Sequence, residues 1–239
     1  MKLASLLFIS ILFLSSCRFI NGERITGDGR ITSREVSTPA FNSLEVQGAM
    51  HVQLRQDGKH AVRVETDANL QEYVDVFESG GTLVVRPRKG VNLNPSKDVV
   101  VYVSGPAFDH IDVSGASRLV SENAITTNSE LTVEASGATE IKMEVNVPKL
   151  YADVSGSSHM DLKGRAGSFS LESSGASDVK AIDLQTDIST MDISGASSAE
   201  ITAAKELDVE ASGASHVAYR GTPQVRQRTS GASSVEKKN

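Results

Sequence analysis

The chain has 239 residues, with 24 Lys and Arg against 30 Asp and Glu and a formal net charge of −6. That length suits one large domain or two small ones, and the acidic balance makes nucleic acid a poor partner. Trp is absent, aromatics make up 5% and there are 19 Gly; this composition suits short strands and tight turns and argues against a helical bundle.

At the N-terminus Lys2 precedes the apolar run LASLLFISILFL, Leu3–Leu14. The run is short for a bilayer span and has the build of a signal-peptide core. It ends in Leu14-Ser15-Ser16-Cys17, which resembles a bacterial lipobox: small residues, then a Cys, directly after the apolar run. The resemblance implies that residues 1–16 are a lipoprotein signal peptide and that Cys17 is the lipid attachment site. Cys17 is also the only Cys, so no disulfide can form within the chain. Several acyl chains on one Cys hold a protein stably on a membrane where a single chain would not. Some bacteria mark surface lipoproteins with acidic residues just after the Cys. The stretch CRFIN has none, which leans toward the periplasmic face. Residues 17–40 read as the lipidated Cys and a polar tether, about 75 Å long if fully extended.

Residues 41–106 read as a less regular β region or cap. LEVQGAMHVQL, Leu44–Leu54, is a degraded copy of the phrase that repeats further on, with Gly48 in place. Asp57-Gly58 and Gly80-Gly81 read as turns next to strands Ala61–Glu65 and Leu83–Arg86. DANLQEYVDVF is expected to hold one short helical turn.

Residues 107–239 carry the phrase DVSGAS and its variants. Its glycines are Gly115, Gly137, Gly156, Gly175, Gly195, Gly213 and Gly231, at spacings of 22, 19, 19, 20, 18 and 18 residues. A period near twenty marks a solenoid in which each repeat is covered by its neighbours. Apolar residues stand two and four before most of these glycines and four after all of them, as in Ile111, Val113 and Leu119; Ser173, Gln227 and Thr229 are the exceptions. Even offsets mean period two, hence strands with one face buried. The expected fold is all-β: a right-handed parallel β-helix of about 18–22 residues per coil, following a less regular β N-terminal part. Length variation falls between successive phrases, so that side should carry the variable loops. The phrase itself is expected to be a corner, with Gly at positive φ. Its following Ser or Thr would face water or bond to turn backbone.

Candidate chemistry lies in outward columns. Three before the glycines stand Asp112, Glu134, Asp153, Glu172, Asp192 and Glu210, followed by Arg228. Stacked in register, six carboxylates would form a ladder spaced at about 4.8 Å. Such a ladder would offer weak Ca²⁺ or basic-partner binding at the surface; no other cofactor is expected. His51, His159 and His216 fall three after their Gly, beside Arg118, Glu140 and Asp178. Alternating charge there reads as surface pairing rather than acid–base chemistry. Lys142, Asp161, Lys180 and Glu200, five after their Gly, alternate in the same way. Tyr151 and Tyr219 are the best candidates for a sugar platform. The Ser columns also raise ice binding, which needs a flat hydroxyl ladder.

The lipobox, then FNSLEVQG at Phe41–Gly48, then many S-G-[AS]-[ST] coils, together resemble the putative autotransporter adhesin head GIN domain family, over about Phe41–Val235. The resemblance implies a β-helical envelope lipoprotein, mostly of Bacteroidetes, and assigns no functional residue. The C-terminal VEKKN carries no alternating aromatic strand of the kind a membrane barrel uses, so the expected anchor is the lipid. The functional expectation is a non-catalytic, adhesin-like binding module of the cell envelope, held at the outer membrane. Its partners would be the membrane and a glycan, peptidoglycan or protein ligand. The alternatives are a polysaccharide-active β-helix enzyme, whose bases would be the histidines, or a purely structural scaffold.

Overall fold

A computed structural model describes residues 22–238 of the chain. The Cys17 expectation therefore lies outside the described residues. Between Gly115 and Gly231 the chain makes six turns of a parallel β-solenoid, each strand pairing with the equivalent strand one coil away. The period-two pattern causes this. Ile111, Val133, Ala152, Leu171, Met191 and Val209 stack as one inward column, each in register with the next. Leu119, Ile141, Met160, Val179, Ala199 and Val217 stack as a second. All twelve are buried, and burying a large aliphatic side chain contributes about 1.5–3 kcal/mol. The columns run out at the last coil, where Gln227 and Thr229 occupy core positions and are exposed.

The corner is as the repeat suggested. The seven phrase glycines have φ between +73° and +89°, a region that side chains with a Cβ avoid. A Cβ on Gly175 would also sit 2.5 Å from the carbonyl oxygen of Gly156 on the coil beside it. That carbonyl instead accepts the N–H of Ala176 at 2.7 Å, and the same bond recurs from coil to coil. The ladder thus passes through the bend unbroken.

The hydroxyl two after each Gly departs from half of its expectation. Ser117, Thr139, Ser158, Ser177, Ser197 and Ser215 are buried rather than facing water. Two of them bond to their own turn backbone: Ser158 Oγ donates to the Ser155 carbonyl at 2.8 Å and Ser177 Oγ to the Ser174 carbonyl at 2.9 Å. Ser117 and Ser215 instead donate to a neighbouring coil, to the Gly48 carbonyl at 3.2 Å and the Ile193 carbonyl at 3.4 Å, and the buried Thr139 hydroxyl has no partner among the described residues; most of the buried column is thus satisfied. Hidden in this way, the column presents no flat hydroxyl face to ice.

The N-terminal part continues both sheets of the solenoid. Ser43–Val46 pairs with His110–Val113 on one side and with Thr82–Val85 on the other. Met50–Gln56 lies between Arg118–Ser121 and Val99–Gly105. Gly48 is therefore a true corner of the stack, with φ +94°. A Cβ on Gly115 would meet its carbonyl oxygen at 2.3 Å. Direction then reverses: Val74–Ser79 adds antiparallel to Thr82–Pro87, Ala61–Asp67 to Val99–Gly105, and Ile31–Val36 to Ala61–Asp67. The expected helical turn is a 3₁₀ turn at Ala68–Tyr73.

The tether is shorter than its polar sequence suggested. Glu23–Thr26 pairs in parallel with Val91–Asn94, and Ile31–Val36 is an edge strand of the main sheet. Buried Asp67 locks this arrangement. It accepts the Gly29 N–H at 2.7 Å, the Ser96 N–H at 2.8 Å and the Ser96 hydroxyl at 2.6 Å. These bonds, the Ser96 hydroxyl foremost, hold its pKa below the usual carboxylate range against the cost of burial.

Candidate functional site

Successive residues of a strand point to opposite faces, so the residues between the inward columns must face out. Asp112, Glu134, Asp153, Glu172, Asp192 and Glu210 accordingly stand in one register row. The row begins one coil earlier, at Glu45, which pairs with Asp112. Sequence reasoning missed Glu45, although it stands three before Gly48 in a stretch already read as a copy of the phrase. At the N-terminal end the row passes to Val84 and then to Phe77, an exposed aromatic stacked by Arg86. At the other end Arg228 pairs with Glu210.

Between these ends no carboxylate of the row forms an ion pair among the described residues. Burial raises the pKa of Asp112, and the neighbouring Glu134 and Glu45 carboxylates raise it further. Burial, Glu172 and Glu134 do the same to Asp153. Tyr151 lies alongside, its pKa pushed up to about 12 by burial first and then by the Glu172 carboxylate. The Ser column one before Gly lies next to the acids, as expected. Its Ser114 and Ser194 hydroxyls donate to backbone carbonyls of the preceding coil, Val46 at 3.1 Å and Ser173 at 3.4 Å. Among the described residues no three His, Cys, Asp or Glu side chains converge as a metal-binding group. The carboxylates meet as a line of neighbours, not as a cage.

The other outward face is built from the same coils and carries ion pairs on several rungs. His51, Arg118, Glu140, His159 and Asp178 form one row in that order. Arg118 bridges Glu140 at 2.8 Å, Lys142 reaches the same carboxylate at 2.8 Å, and His159 Nδ1 meets Asp178 at 3.0 Å. The Lys142 bond, with Arg118 adding, lowers the Glu140 pKa. Lys142, Asp161, Lys180 and Glu200 follow in the adjacent row. His216 bonds Ser234 at 2.8 Å and Glu236 at 3.2 Å. Two of the candidate bases are thus engaged in surface pairs on successive rungs. His110 lies elsewhere, two residues before Asp112 and on the acidic face.

No helix among the described residues is long and apolar enough to cross a membrane. A family model described as "Putative auto-transporter adhesin, head GIN domain" matches residues 40–223. No curated protein matches the sequence. Among solved structures, a "putative adhesin" from Bacteroides fragilis is similar with a TM-score of 0.83 and 20% identity, covering 89% of this chain and 99% of that one. A "putative adhesin" from Parabacteroides distasonis gives a TM-score of 0.75 at 23% identity, over 90% of this chain and 100% of that one. A "putative lipid binding protein" from the same species gives 0.75 at 19%, over 91% and 100%. At these identities the likeness to the solved structures is one of fold.

Proposed function

The chain belongs to the auto-transporter adhesin head GIN domain family, and we propose that it is a lipid-anchored, non-catalytic binding module of the cell envelope. The observation that carries this reading is the pair of long outward faces, one acidic and one charge-paired, on a rigid rod whose ionisable groups form ladders rather than a catalytic cluster. A ladder repeats one chemistry over many coils, which suits an extended partner. Catalysis instead needs unlike groups converging on one point.

The anchor comes from the sequence motif at Cys17. If Cys17 carries the acyl chains, only residues 18–22 separate them from the strand at Glu23. Five residues reach at most about 18 Å. The Glu23–Thr26 end of the rod would then ride close to the bilayer, far nearer than a 23-residue tether would hold it. The experiment is protease shaving of intact cells together with detergent partitioning of the native chain and of Cys17→Ser. Partitioning into detergent that Cys17→Ser abolishes supports the anchor, and unchanged partitioning defeats it. Rapid shaving of the rod from intact cells supports an outward-facing adhesin; protection until lysis supports a periplasmic module. Turnover of envelope polysaccharide by the purified chain would overturn the non-catalytic reading.

A further inference from the structure

The third side of the solenoid carries a groove of about 870 Å³ at its junction with the N-terminal part. The first coil, at 22 residues the longest, supplies one wall: its surplus forms the loop at Thr127–Ser129, closed by a bond from the Ser129 N–H to Thr127 Oγ1 at 3.2 Å. The floor is an outward row in which Thr126 stacks on Asn146 and Asn146 on Arg165. Pro148 lies on the rim.

The chemistry of the lining differs from the rest of the molecule. In a chain of net charge −6, no Asp or Glu lines this groove. Among the described residues Arg165 forms no ion pair, whereas Lys163 on the same strand is taken by Glu144 at 3.2 Å. The Asn146 and Asn128 side chains are likewise exposed and make no bond to the protein among the described residues. One free guanidinium thus sits among amides and hydroxyls. A guanidinium reads a carboxylate with two parallel donors, and amides exchange both donor and acceptor bonds with hydroxyls.

We propose that this groove binds a carboxylate-bearing oligosaccharide, with Arg165 taking the carboxylate and Asn146 and Asn128 taking ring hydroxyls. The proposal rests on the binding-module reading and assigns it a ligand class. An acidic peptide fits less well, because peptides are commonly captured by adding to an unpaired strand edge. Here the Gln56 side chain seals that edge: it accepts the Thr126 N–H at 2.6 Å and donates to the Thr126 carbonyl at 3.0 Å. The groove's volume falls within the range of small-molecule sites.

The test is calorimetric titration of the full-length, detergent-solubilised chain with hexamers of galacturonic acid and of mannuronic acid. Their methyl esters and a hexaglutamate peptide serve as controls. At least one acid hexamer should bind, with its ester weaker by about tenfold or more. Arg165→Gln should lose a similar factor with Tm unchanged, and Asn146→Ala a smaller one. The proposal is overturned if neither acid hexamer binds at millimolar concentration, if Arg165→Gln binds as the native chain does, or if hexaglutamate binds as tightly as the sugars. Adhesion of producing cells separates this from the wider reading. Arg165→Gln cells that adhere normally sink the groove alone, whereas native cells that bind no surface or envelope polymer sink the binding-module reading itself.

Discussion

The two outward faces of the solenoid are cut from the same strands, yet they handle charge in opposite ways. On one face Arg118 pairs with Glu140 at 2.8 Å and His159 with Asp178 at 3.0 Å, and Lys142, Asp161, Lys180 and Glu200 alternate in sign along the adjacent row. On the other, Glu45 through Glu210 repeat one sign over seven rungs and, among the described residues, form an ion pair only at Arg228. Parallel in-register stacking places like positions directly opposite, so any column of one sign is penalised. The paired face shows that this fold can remove the penalty by alternation. The acidic face retains it: burial raises the pKa values of Asp112 and Asp153 first, and the neighbouring carboxylates add to the rise.

The largest effect should come from the corner that holds both faces in register. Gly175→Val places a Cβ against the Gly156 carbonyl at positive φ, at a cost of about 3 kcal/mol or more. It should disrupt both faces together and lower Tm by many degrees. Gly231→Val meets the Gly213 carbonyl at 2.6 Å, nearly the same clash, because each corner touches only the coil before it. Its cost should nonetheless be local. The last coil adds little core of its own, since Gln227 and Thr229 are exposed and only Val225 and Val235 pack against the cluster, partly buried. Amide exchange should show fast opening confined to residues beyond about Gly221 in this variant. Equal loss of Tm in the two would show that the stack melts as one unit.

A smaller effect should separate the faces themselves. Asp153→Asn with Glu172→Gln removes two adjacent like charges and should stabilise the chain by about 0.2–1 kcal/mol. Glu140→Gln on the paired face should destabilise by a similar or smaller amount, as exposed ion pairs do. Urea unfolding at low salt measures both, and high salt should bring the two variants together. Destabilisation by the acidic-face pair would mean that its carboxylates hold contacts beyond their mutual repulsion.

How much of this contrast could be read beforehand depends on distance along the chain. The inward columns and the six carboxylates were legible because one phrase recurs about every twenty residues and alternation fixes which side each residue faces. Glu45 was not, because 67 residues separate Gly48 from Gly115 and interrupt the period. Glu23–Thr26 and Ile31–Val36 were read as tether because the stretch is rich in Gly, Thr, Ser and charges and shows little periodicity. Their partners, Val91–Asn94 and Ala61–Asp67, are distant segments that no local pattern announces. The buried hydroxyls failed for another reason. Whether Ser158 faces water or its own turn is decided by a single bond to the Ser155 carbonyl, and alternation cannot weigh that bond. The Arg165 groove lies on the side where coil length varies, which the spacings did indicate, but its freedom from acids depends on how three separate segments meet.

Acid should shift the balance between the faces in a known direction. Asp112 and Asp153 have raised folded pKa values, so their penalty is present above those values and is relieved as pH falls through them toward 3.8, the unfolded value. Asp67 and Glu140 are lowered, so their stabilisation is full above the unfolded values of 3.8 and 4.5 and is lost as pH falls through the folded ones. As pH falls from neutral through the raised folded values of Asp112 and Asp153, the acidic face should therefore gain, while the Glu140 contribution holds down to 4.5. The Tm advantage of the Asp153→Asn/Glu172→Gln variant over the native chain should shrink across that range. Below 3.8 both chains should lose stability as Asp67 is protonated. An advantage that stays constant from pH 7 to pH 4 would mean that the ladder carboxylates do not feel one another.

The smallest expected effect is that of calcium, and it separates two ways of occupying the acidic face. Neighbouring carboxylates about 4.8 Å apart can share an ion whose oxygens lie about 2.3–2.6 Å away. Two carboxylates are nevertheless a thin ligand set for an ion that takes six to eight oxygens, and no three acidic or His groups converge among the described residues. Water would have to supply most of the shell, so binding should be weak and spread over the row. Millimolar Ca²⁺ should raise Tm slightly more than NaCl of the same ionic strength, and EDTA should reverse the rise. The excess should shrink in Asp153→Asn/Glu172→Gln and persist in Glu140→Gln, whose carboxylate is already held by Arg118 and Lys142. If calcium does no more than matched ionic strength, the ladder is a screened surface charge, and a basic macromolecule becomes the partner to which its one-sided spacing is suited.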